Sequence, residues 1–98
     1  MQVTEACSAL NDKRCVKIRY SGKERVVEIH AVGYTRDDKA IMRAWQIRGG
    51  SSSGDPEGWK LFRLEEIQMA QALDESFEKP RAGYKRGDPA MHRIVCQL

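Results

Sequence analysis

From Arg14 onward the apolar residues recur at every second position: Val16, Ile18 and Tyr20 alternate with Lys17 and Arg19 until Ser21-Gly22-Lys23 interrupts the run. A period of two sends successive side chains to opposite faces of an extended chain, so the segment reads as a half-buried strand. The pattern resumes from Glu24 to Thr35 with high Val and Ile content and breaks at the tight turn Arg36-Asp37-Asp38-Lys39. Three further strands are expected, over Lys39–Arg48, Trp59–Leu64 and Glu66–Ala72, with residues 49–58 as a loop. Short strands joined by tight turns predict an antiparallel meander that closes on itself to protect its edges.

Ahead of the strands, Val3, Ala6, Cys7 and Leu10 fall at helical spacing behind Thr4, which predicts a short helix over residues 3–11 with Thr4 as its N-cap. The stretch LEEIQMAQALDE is rich in helix formers, so a helix over residues 64–75 competes with the fifth strand. Residues 73–90 carry Pro80, Gly83, Gly87 and Pro89 and read as an irregular basic segment, followed by a closing strand over residues 91–97. Ninety-eight residues suffice for a single domain with one modest core. The expected fold class is therefore mainly β: a small five-stranded antiparallel barrel behind a short N-terminal helix.

With 41% hydrophobic and 32% charged residues the chain is too apolar for wholesale disorder. No run approaches the ~20 apolar residues of a membrane span. Cys7, Cys15 and Cys96 are far apart, follow no signal peptide and form no C-x-x-C pair, which predicts a reducing cytoplasm, with Cys7 and Cys15 as small buried hydrophobes. With only His30 and His92 besides, and no H-x-x-x-H pair, neither a metal site nor a cofactor is expected. A net charge of +3 favours acidic partners only weakly, so local clustering matters more.

That clustering is concentrated in RAWQIRGGSSSGDPEGWKLFR, residues 43–63, where Trp45 and Trp59 flank a Gly-Ser loop among Arg43, Arg48, Lys60 and Arg63. In paired strands Ile41, Arg43, Trp45 and Ile47 share one face, as do Trp59, Leu61 and Arg63. Flat π faces beside cationic donors can stack a base while holding a phosphate, although tryptophans in small β domains more often pack across strands. GGSSSG lacks the Lys-Ser/Thr ending of a phosphate loop and is expected to be a flexible hairpin loop. YKRGDPAMHR offers Tyr84, Lys85 and Arg86 as a second wall of the same site, or as a solvated charged loop. Glu28 and His30 point to one side of a strand and, with Arg25 and Tyr34, form a polar cluster without a recognisable nucleophile; a hydrogen-bond network is expected there rather than catalysis.

The order of the segments CVKIRYSGKERVVEIHAVGY, KAIMRAWQIRGG and WKLFRLEEI resembles the WYL domain of bacterial regulators over about residues 5–70. Ala40-Ile41-Met42 stands at the family's naming tripeptide and Ile29 at a usual proline, with Trp45 expected to take over the aromatic role. The resemblance implies an SH3-like or Sm-like five-stranded barrel used as a cytoplasmic ligand-sensing module in transcription regulation, in a free-standing form without a winged-helix DNA-binding module. It carries Arg25, His30, Phe62 and Arg63 into the ligand groove, to which the reading of the residues adds Arg43, Trp45 and Trp59. The expected function is non-enzymatic binding of single-stranded nucleic acid or a nucleotide. The alternatives are a protein-interaction module, either a homodimer or a docking site for a regulatory partner, and a hydrolase built on Glu28 and His30.

Overall fold

The computed structural model describes residues 1–98. Helix α1 spans Val3–Asn11 and buries Ala6, Ala9 and Leu10. Its N-cap is Gln2, not Thr4: the Gln2 backbone N–H donates to Glu5 Oε1 at 2.8 Å, so the acidic residue of the first turn satisfies a donor at the helix start. Nine residues make a marginal helix alone, and α1 depends on the sheet beneath it.

Strands β1 (Arg14–Tyr20) and β2 (Lys23–Tyr34) form a hairpin closed by Ser21 and Gly22, both at positive φ, which suits the twist of a two-residue connection. Strand β3 (Ala40–Gly49) returns along β2 after the turn Thr35–Lys39, and β4 (Gly58–Arg63) returns along β3. A one-turn 3₁₀ helix at Leu64–Glu66 leads into β5 (Ile67–Ser76), which crosses over to pair with β1. The helical alternative for this region is thus confined to three residues, and β5 runs four residues past its expected end at Ala72. Finally β6 (Arg93–Gln97) pairs with Ala31–Tyr34 of β2.

The result is mainly β, with one short helix and an antiparallel sheet of six strands in the order β4-β3-β2-β1-β5, β6 lying beside the second half of β2. This corrects the closed five-stranded barrel expected from the meander. The Leu64–Glu66 turn sends β5 to the opposite end of the strand order, no ladder joins it to β4, and the sheet stays open.

One face of the sheet buries Val16, Ile18, Val27, Ile29, Val32, Met42, Ala44 and Phe62 against α1. Alternation along β2 breaks at His30, the extra residue of a bulge between the pairs Ile29↔Ala44 and Ala31↔Arg43. Residues Val26–Gly33 are buried on both faces because residues 77–92 fold back over the outer side of β2 and β3. There Met91 packs with Ala31 and Ile41 in a small second cluster.

Cys7 of α1 is bonded to Cys96 of β6, so Cys7 is not the isolated buried hydrophobe anticipated from spacing. Two cysteines 89 positions apart gave no local signal for pairing, and only the fold brings their Cα atoms to 5.9 Å. Cys15 is buried and free, as expected. No helix is long and apolar enough to cross a membrane.

Candidate functional site

The outer face of β3 and β4 is organised by aromatic side chains. Trp45 and Trp59 stand directly opposite each other in the ladder, with ring centroids 5.4 Å apart and planes at 89°. Edge-to-face contact of this kind favours the pair beyond its buried area. His30 shares this face with Glu28, two positions before it on β2, and meets Trp59 at 4.7 Å, Tyr84 at 5.1 Å and a stacked Phe77 at 5.6 Å. His30 is completely buried.

Its hydrogen bonds fix its state. The Arg81 backbone N–H donates to Nε2 at 3.1 Å, which requires a lone pair there, so the ring proton sits on Nδ1 and is donated to the Glu28 carbonyl at 2.9 Å. Burial also holds the His30 pKa below its usual value, opposed by the Glu28 carbonyl and carboxylate. The imidazole is therefore a neutral, fully engaged packing element. The Glu28 carboxylate accepts two bonds from Arg81, at 2.7 and 2.9 Å, and that guanidinium lies 5.6 Å from the Trp45 ring centroid.

Beside this cluster lies a cleft of about 330 Å³ lined by Arg43, Trp59, Gly83, Tyr84, Lys85, Asp88 and Pro89. Trp59 and Tyr84 form its aromatic wall, with centroids 6.1 Å apart and planes inclined by 31°. Both rings are anchored: Trp59 Nε1–H donates to the Ala82 carbonyl at 3.3 Å, and Tyr84 Oη lies 3.1 Å from the His30 carbonyl and 3.2 Å from that of Leu98. Burial pushes the Tyr84 phenol up, so it stays a donor. At the floor Arg43 donates through Nε and Nη2 to Asp88, whose carboxyl is held below its usual range by that pairing. Asp88 also accepts the Ala90 N–H at 2.9 Å. Lys85 is exposed and has no carboxylate within ion-pair distance, so the cleft retains one uncompensated positive charge.

Of the residues singled out in the sequence, Arg43, Trp59, Tyr84 and Lys85 meet in this cleft. Trp45 packs behind Trp59 with its indole N–H buried and unpartnered, and the Arg86 Nε is spent on the Leu98 carbonyl at 3.1 Å. The other expected members do not line it. His30 is sealed beneath the aromatic rings. Phe62 belongs to the core on the opposite face, because even-numbered positions of β4 point inward. Arg25 also faces inward, 5.4 Å from the Tyr20 ring centroid and 5.6 Å from that of Phe62, and donates to the Tyr20 carbonyl at 3.2 Å. The polar cluster expected of Arg25, Glu28, His30 and Tyr34 is thus divided between two sides of the sheet, with Tyr34 under Arg93. Arg63 sits at the exposed end of β4, 3.7 Å from Glu66. The Gly-Ser loop is folded round a lysine: Lys60 Nζ reaches Ser51 Oγ, Ser53 Oγ and the Asp55 carbonyl at 2.8–3.3 Å.

Two residues that matter most to the geometry carried little signal. Asp88 is a buried carboxylate on Arg43, and Arg81, in the irregular basic segment, holds the Glu28 carboxylate. No protein-family model, curated protein or solved structure matches this chain.

Proposed function

We propose that this chain is a non-enzymatic binding module for a nucleotide or a nucleotide unit of single-stranded nucleic acid, held in the cleft between Trp59 and the 83–89 loop. The observation that carries the reading is the meeting of two anchored aromatic rings with an unpaired cation in one cleft: Trp59 and Tyr84 beside Lys85. A base stacks against the indole, contributing about 1–3 kcal/mol, while Lys85 takes the phosphate. Arg43 keeps an Nη1 group beyond its two bonds to Asp88, which supplies donors fixed in position for a polar edge of the ligand. A volume of about 330 Å³ lies at the small end of ligand sites and suits one nucleotide-sized group.

The engagement of both His30 nitrogens and both Glu28 oxygens argues for binding over hydrolysis at that pair. The likeness to WYL sensor domains points to the same ligand class and to a regulatory, cytoplasmic role. The strand order, with a 3₁₀ turn between β4 and β5, fits an SH3-like barrel left open at that seam.

Titration of the intrinsic tryptophan fluorescence with a six-nucleotide oligothymidylate at several salt concentrations tests the proposal. Binding should weaken with salt, and Lys85→Ala should reduce the log–log salt slope by about one while Arg63→Ala leaves it nearly unchanged. Affinity that ignores both salt and Lys85 would refute it. A second reading, a protein-interaction module, rests on Leu61, 42% exposed on the edge strand β4 opposite Arg43 and two positions before Arg63. Sedimentation across a concentration series would show self-association if that surface is a homodimer interface.

A further inference from the structure

The second wall of the cleft is held by Gln97 and Leu98. Three contacts attach the 84–87 loop to the two residues that follow Cys96: the Gly87 N–H donates to Gln97 Oε1 at 3.0 Å, and Tyr84 Oη and Arg86 Nε approach the Leu98 carbonyl at 3.2 and 3.1 Å. Leu98 in turn donates its N–H to the His30 carbonyl at 2.9 Å. The strand that presents them, β6, has five residues and a single strand neighbour, β2, and is tied covalently to α1 by the Cys7–Cys96 bond. Both tethered elements are short, and each relies on the other.

We propose that the Cys7–Cys96 bond is a redox latch on the cleft, closed when oxidised and released by a dithiol reductant of the C-x-x-C type. Both cysteines are only half-buried at the margin of the core, so a local opening of the short β6 exposes the sulfurs to attack. A reductant thiolate bonds to one sulfur and expels the other as a thiolate, which takes up a proton. The second reductant thiol then closes its own disulfide and expels the remaining cysteine. Two electrons and two protons pass to the chain, giving two thiols here and one disulfide on the reductant. Cys15 does not interfere: burial, with Glu75 and Glu28 nearby, pushes its thiol up to about 11, so it is not a competing thiolate at neutral pH. Once released, the short β6 loosens from β2, Gln97 and Leu98 leave the loop, and Tyr84 and Lys85 lose their fixed positions. In a reducing compartment, protein disulfides that form are usually transient and regulatory, which matches a latch rather than a permanent staple.

The binding arm of the test rests on the cleft reading above; the structural arm does not. Backbone amide hydrogen exchange is compared for the oxidised protein, the same protein in dithiothreitol, and Cys7→Ser, reading Gly87 and Leu98 against the core amide of Val27. Release should speed exchange at Gly87 and Leu98 by about tenfold or more while Val27 changes by less than about threefold. The Kd for six-nucleotide oligothymidylate should rise about tenfold on reduction. Unchanged Gly87 exchange, an equal rise at all three amides, or the same measurable Kd in both states would overturn the latch. If the oxidised protein does not bind the oligonucleotide at all, the cleft reading fails, and the exchange contrast alone still decides the latch.

Discussion

Arg43 and Asp88 stand 45 positions apart and meet in a two-point ion pair, Nε to Oδ2 at 2.7 Å and Nη2 to Oδ1 at 3.3 Å. The pair fastens the irregular 83–89 loop to β3 and so shapes the cleft floor. Asp88→Asn removes the charge and leaves Arg43, a partly buried cation, without its partner. The expected cost is about 2 kcal/mol, read from the urea midpoint at neutral pH. Because the pairing depresses the Asp88 pKa, its contribution is present above the ordinary value near 4 and disappears as pH falls through the depressed one. The variant should therefore show a flatter acid limb.

His30 gives a separate pH signature at higher pH. Its folded pKa lies below the ordinary value near 6.5, so the neutral ring contributes fully above that pH and its contribution is lost as pH falls toward the folded value. Thermal midpoints of the parent protein should fall from pH 7 toward pH 5. In His30→Phe, which cannot titrate, that slope should shrink, at the expense of about 1–2 kcal/mol from the two lost hydrogen bonds.

Gly83 supports the aromatic wall through its backbone. Its φ of +89° disfavours any side chain, and an added Cβ would sit 3.3 Å from Trp59 Nε1. Gly83→Ala should lower stability by about 1 kcal/mol and alter the Trp59 fluorescence, since the indole must shift to make room. Chemical denaturation followed by fluorescence reads both effects.

Much of the sheet was legible because its strands obey a period of two. The alternation of Arg43 and Trp45 with Met42 and Ala44 assigned faces correctly, and the hairpin placed Trp45 and Trp59 on either side of the loop, where the ladder pairs them directly. The period of two also places His30 on the Glu28 side of β2, but the cover that Trp59, Phe77 and Tyr84 lay over it is not local, and it buries the imidazole completely. Arg25, placed in the groove by the resemblance to WYL domains, has its guanidinium covered by Tyr20 and Phe62. The contacts Cys7–Cys96, Arg81–Glu28 and Asp88–Arg43 each span 45 or more positions and depend on how the chain after β5 folds back over β2, which periodicity does not encode.

The central claim, that a nucleotide-type ligand occupies the cleft between Trp59 and the 83–89 loop, is tested most directly by ¹H–¹⁵N NMR titration of the ¹⁵N-labelled oxidised protein with six-nucleotide oligothymidylate. The account predicts saturable shifts of the Trp59 indole N–H and of the Gly83, Tyr84 and Lys85 amides, abolished in Trp59→Leu while the remaining amide spectrum stays folded. No shift at millimolar ligand, or shifts centred on Arg63 and the outer edge of β4 with the Trp59 indole unmoved, would contradict it.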